Sequence, residues 1–186
     1  MSTGTTIGVV IAVLVVVAVG VVLWRKASQR KHLRRQFGPE YDRVVERSGN
    51  RMEAERELAE RERTHRSLEL KPLTEGTRES YSRHWVQVQE QFVDAPSDAV
   101  ASAHRLVTDL MSERGYPTNG DHEANASVLS VEHSRTIDSY RQAHAITRRQ
   151  EQGEASTEDL RNAMVHYRTL FNDLLGDRGE RKEGAR

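Results

Sequence analysis

The chain has 186 residues, 30% of them charged, a formal net charge of +0 and no cysteine. Without a thiol it has no disulfide, thiolate metal site, iron–sulfur cluster or cysteine nucleophile, and a mean hydropathy of −0.73 leaves apolar material for one modest core besides any anchor. The zero balance hides an asymmetry: residues 25–36 hold six Lys/Arg and no acid, and taking those six from 28 leaves 22 basic against 28 acidic groups in the rest.

Ile7 to Trp24 reads IGVVIAVLVVVAVGVVLW, with no charged side chain. As a helix it spans about 27 Å, close to the roughly 30 Å of a hydrocarbon core, so the pattern predicts a transmembrane helix over 7–24 behind a short tail at 1–6. Valine is a mediocre helix former in water, but in lipid a single segment can satisfy its backbone only as a helix. A cleaved signal peptide wants positive charge before its apolar run; here Met1–Thr6 has none, and the best cleavage string, Ala18-Val19-Gly20, lies inside the run. Release after that string, giving a secreted helical protein, is the rival reading.

Arg25, Lys26, Arg30, Lys31, Arg34 and Arg35 follow the run, with Trp24 at the position of an interfacial aromatic. By the positive-inside rule this flank, 25–36, stays in the cytoplasm, which puts the N-terminus outside and the C-terminal region inside a plasma membrane. These seven residues are the candidate membrane site: each basic group is drawn to anionic headgroups by about 1 kcal/mol within a Debye length. Nucleic acid is not the expected partner, because aromatics are not interleaved with the charges and the remainder is acidic. Gly4, Gly8 and Ala12 have the small-xxx-small spacing that lets two anchors approach, so a homo-oligomer is an option.

Beyond the flank the expected fold is all-α: charged connector helices over 37–71, then a small antiparallel helical bundle over 72–176. Pro39 suits the first turn of a helix ended by Ser48-Gly49-Asn50. Arg51–Ser67 alternates Glu and Arg with i,i+4 pairs and few apolar groups, as expected of a solvated stalk or peripheral helix. Lys71-Pro72 marks the next boundary. Thr74 or Thr77 caps a helix with Tyr81, Trp85, Val88 and Phe92 on one face; Val100, Ala103, Val107, Leu110 and Met111 make a second stripe ending at Gly115. A weaker helical stretch follows Thr118-Asn119-Gly120-Asp121, and Ser134–Gln150 offers Ile137, Tyr140, Ala143 and Ile146 as a third face. Ser156 and Asp159 form a capping-box start for the last stripe, Leu160 to Leu174. The Gly- and charge-rich tail, 177–186, is expected to be disordered.

Eight histidines raise the question of metal or acid–base chemistry: His32, His65, His84, His104, His122, His133, His144 and His166. None of them sits in an HExxH motif, no Glu-x-x-His falls on the helices of His84, His104 and His166, and neighbours on a helix point about 100° apart, so Asp121-His122-Glu123 reads as a surface turn. No cofactor, metal or catalytic residue is expected. The strings FGPEYDR at 37–43, ERGYP at 113–117 and GEASTEDLRNAMVHYRTLFNDLL at 153–175 resemble a family of uncharacterised bacterial, mostly actinobacterial, membrane-anchored proteins often labelled secreted or hypothetical. The resemblance implies a bacterial plasma-membrane setting and no assigned activity. The functional expectation is a non-enzymatic, membrane-tethered helical module that binds a protein partner; the alternative is a ligand- or metal-responsive bundle, with hydrolysis as one form.

Overall fold

Residues 3–119 and 121–176 are described by the computed structural model, with side chains before residue 27 described only in part. Among them, eight α-helices and no strand are found. The chain divides into two compact units, Met1–Leu58 and Ala59–Arg186.

In the first unit α1 runs without interruption over Thr3–Phe37, so the apolar run and the basic flank share one helix that starts inside the segment read as a tail. Gly38, at φ 49, turns the chain in the left-handed region that favours glycine, and Pro39 opens α2, Pro39–Ser48, at the position where its missing N–H costs nothing. The Asn50 side chain then accepts from the Met52 N–H at 3.0 Å, meeting one free donor at the start of α3, Arg51–Arg66. Leu33 and Phe37 on α1, Tyr41 and Val44 on α2, and Ala54 and Leu58 on α3 are buried. Charge ties these helices as well. Glu55 accepts from the Tyr41 hydroxyl at 2.8 Å and faces Arg30 Nε at 3.8 Å, while Arg47 pairs with Glu57 at 2.5 Å.

The second unit takes α3 from Ala59 onward and adds α4 (Glu75–Asp94), α5 (Pro96–Glu113), α6 (His122–Leu129), α7 (Ile137–Glu151) and α8 (Thr157–Leu175). Two of its helices, α4 and α8, begin at side-chain caps, and α5 begins at a proline. Thr74 accepts from the Thr77 N–H, Pro96 opens α5 directly after the single linking residue Ala95, and Ser156 and Asp159 close a reciprocal capping box. The stripes read from the sequence on α5, α7 and α8 are buried throughout, and α4 contributes Trp85 and Val88 with Tyr81 and Phe92 partly covered. Each fully buried side chain of this kind contributes about 1.5–3 kcal/mol, far more than any helix propensity, so the stripes decide the packing. The result is a helical bundle in which α4 packs on α5, α5 and α7 on α8, and α6 on α7. Trp85 stacks on Phe171 with ring centroids 4.7 Å apart.

Three features differ from the sequence expectations. The charged helix α3 is not solvated all round: Ala54, Leu58, Ala59 and Arg61 are buried, two alanines, a single leucine and an arginine whose signal the surrounding charges mask. The third face starts at Ile137 instead of Ser134, because residues 130–136 form a turn closed by His133 N–H to Leu129 O and Thr136 N–H to His133 O. Gly115 does more than end α5. Its φ is 88, and a Cβ there would lie 2.6 Å from the Glu69 carbonyl oxygen, so the 69–71 segment crosses where only glycine fits. Among the described residues no helix is long and apolar enough to cross a membrane. The span read at 7–24 lies for the most part outside the described side chains, and the tail at 177–186 lies outside the described residues.

Candidate functional site

The basic flank comes first in the chain. At 100° per residue, Trp24, Lys31 and Arg35 fall on one face of α1, and Leu33 and Phe37 fall on another. The packing follows that division: Leu33 and Phe37 are fully buried, whereas Trp24 is 72% exposed and Arg25, Lys31 and Arg35 are exposed. Arg30 and Arg34 are used within the unit. Arg30 faces Glu55, and Arg34 pairs with Asp42 at 3.5 Å and stands 5.9 Å over the Tyr41 ring. The side chain of Lys26 is outside the described set. The six candidate residues whose side chains are described therefore separate into an outward group, Trp24, Arg25, Lys31 and Arg35, and a pair that braces α1 against α2 and α3.

Two polar clusters inside the bundle were not foreseen. The first centres on His133, in the turn before α7. Its Nδ1 lies 2.9 Å from Asp173 Oδ2, which also accepts from the Thr136 hydroxyl at 2.5 Å. Its Nε2 lies 3.3 Å from the Tyr116 hydroxyl, and that hydroxyl donates to Glu132 Oε2 at 2.7 Å. Burial and the neighbouring Glu132 push the Tyr116 phenol well above its ordinary range. An acid–histidine–hydroxyl chain of this kind resembles a relay in outline. The phenol, however, is 3% exposed and its proton is committed to a carboxylate, so the arrangement ties the 130–136 turn to α8.

The second cluster brings together His104 of α5, His122 at the first position of α6 and His144 of α7. The His122 and His144 rings are stacked, with centroids 3.5 Å apart and planes at 8°; His104 lies 5.7 Å from His144, and Tyr140 lies 4.5 Å from His122. His104 Nδ1 meets the Tyr167 hydroxyl at 3.1 Å, and that hydroxyl is 2.9 Å from Thr147 Oγ1. Neither ring nitrogen of His122 meets a hydrogen-bond partner among the described residues, although both are shielded from solvent. Burial lowers the pKa of all three, with His104 and His144 also acting on their neighbours, and His122 is pushed down to about 4.

Metal binding does not follow from this proximity. Imidazole lone pairs lie in the ring plane, so two parallel stacked rings aim past a shared ion instead of at it. Among the described residues, no group of three or more His or acidic side chains is disposed to hold a metal.

Sequence reading passed over both clusters for one reason. His104, His122 and His144 come from three helices, and His133 and Asp173 are 40 residues apart, so no local spacing announces either. The one available signal was position: His104 and His144 each follow directly on a buried alanine of a core stripe, Ala103 and Ala143. His122, read as part of a surface turn, is instead packed against α7. His84 is exposed, and His166 is half-buried. No protein-family model, curated protein or solved structure matches the chain.

Proposed function

We propose that the chain is a membrane-tethered helical module that acts by binding, not by catalysis. The observation that carries the reading is the state of α1. Where its apolar run is described, Leu14, Val16, Val17, Val21 and Trp24 are all exposed, between 47% and 72%. A water-facing helix with a continuous valine-rich surface is unfavourable, and insertion in a bilayer removes that surface from water. The outward Trp24, Arg25, Lys31 and Arg35 then meet the anionic headgroup layer, and a net-negative body stands on the cytoplasmic side. That body presents its surface to a protein partner or to a second copy.

Topology reporters fused after Thr6 and after Arg186, in a bacterial host, test the reading together with the mass of the product. An intact 21.2 kDa chain with its C-terminus in the cytoplasm is expected. An external C-terminus or a shortened product would overturn it in favour of a secreted helical protein.

A further inference from the structure

We propose that His104, His122 and His144 form an acid-operated latch, holding the N-terminal turn of α6 against α5 and α7 while uncharged and releasing it when they take up protons. Uncharged, the His122 and His144 rings meet face to face at 3.5 Å, the contact distance of stacked aromatics. Once both carry protons, the same contact sets two like charges ring to ring. Three features make this contact the weak point of the bundle.

The first is hydrogen bonding. A proton on His104 has an outlet, because the Tyr167 hydroxyl can accept from Nδ1 and pass its own proton to Thr147. His122 has no acceptor for either nitrogen among the described residues.

The second is the helix. His122 is the first residue of α6, where the free N–H groups and the helix dipole disfavour a cation, and its N-cap residue Asp121 makes no capping bond. With eight residues, α6 cannot hold itself as a helix without its packing.

The third is the surrounding charge. From α5 the cluster is faced by Arg105, and from α7 by Arg141, Arg148 and Glu151, with Tyr140 and Tyr167 supplying neutral walls. Glu151, and Asp121 and Glu123 at the start of α6, oppose the effect. Glu123 and Arg141 are joined through two hydrogen bonds of 2.9 and 3.1 Å, so their opposite charges largely offset each other at the cluster.

The sign follows from the lowered pKa values. The folded form refuses protons that the opened form accepts near pH 6.5. The latch is therefore fully closed above about pH 6.5 and weakens as the pH falls from there toward about 4, where His122 itself is protonated in place. Each refused proton is worth about a tenfold change in opening per pH unit.

Hydrogen exchange of the full chain, corrected for intrinsic rate and followed by mass spectrometry at pH 7 and pH 5, reads the latch directly. Opening of His122–Leu129 should rise about tenfold or more while α8 changes much less, and the H122F/H144F double variant should remove the rise. Should that variant not fold, ring-proton NMR of the unaltered chain decides: His122 and His144 are expected to protonate below the ordinary histidine range, together with loss of protection in α6. Ordinary titration near pH 6.5, flat protection of α6 down to pH 5, or a double variant that opens as the unaltered chain does would each overturn the proposal.

Discussion

His133 and His122 are both drawn into the same bundle, yet they meet opposite surroundings. His133 has a carboxylate 2.9 Å from one ring nitrogen and a phenol 3.3 Å from the other, and every group in that chain leads to a further partner. His122 has rings for neighbours, His144 and Tyr140, and no hydrogen-bond partner on either nitrogen among the described residues. Burying a polar group is costly only to the extent that its bonds go unmade. The His133 cluster works as a polar tie between a turn and α8, while the His122 cluster works as an aromatic contact for as long as it stays uncharged.

The largest expected effect breaks the tie. Asp173 accepts from both His133 and Thr136, so Asp173→Ala leaves the buried His133 Nδ1 without its acceptor and Thr136 with only the His133 carbonyl, and should cost about 2–4 kcal/mol in urea unfolding. If Asp173→Ala unfolds at the urea concentration of the unaltered chain, the cluster is ornament and the comparison fails. Acid should strike the other cluster. Because burial holds His104, His122 and His144 below their ordinary range, their contribution is present above about pH 6.5 and is lost as pH falls. After allowance for partial solvent screening, the loss between pH 7 and pH 5 should be about 1–2 kcal/mol, seen as a falling urea midpoint. A midpoint that stays level over that range would contradict it.

A smaller effect separates the partnered edge of the three-histidine cluster from its unpartnered centre. The Tyr167 hydroxyl bridges Thr147 and His104, so Tyr167→Phe should lower stability by about 1 kcal/mol at neutral pH. Fluorescence- or CD-monitored denaturation is enough to measure it. Burial holds the Tyr167 phenol above its ordinary range, so the hydroxyl stays a donor across the whole neutral region.

Most of the fold was legible because helices write their own periodicity and punctuation. Pro39, Thr74, Pro96 and Ser156 mark helix starts, and Val100 to Met111 and Leu160 to Leu174 mark the faces that become core. The turn from Ser130 to Thr136 was not legible, because what fixes it is the link from His133 and Thr136 to Asp173, a partner far along the chain. The burial of Arg61 was hidden for a related reason: it reaches Ser130 at 3.1 Å, a contact across 69 residues that no charge pattern within α3 could announce. In the basic flank the composition was plain, but the division between bracing and outward-facing residues depends on Glu55 and Asp42, which lie in later helices.

The smallest expected change is the sharpest test of the contrast. A ring that makes no hydrogen bond can be replaced by an apolar ring of similar shape with little loss, since the replacement removes a polar group that folding had left unpaired. His122→Phe should therefore alter neutral-pH stability by no more than about 0.5 kcal/mol, in either direction, while the Phe ring keeps the stack on His144. Paired with Asp173→Ala in a single denaturation series, it asks whether histidines of one bundle differ by their partners or only by their depth. A loss of about 2 kcal/mol from His122→Phe would mean that its nitrogens are held by bonds after all. The three-histidine cluster would then be a second polar tie, and the acid sensitivity of α6 would have to come from its carboxylates.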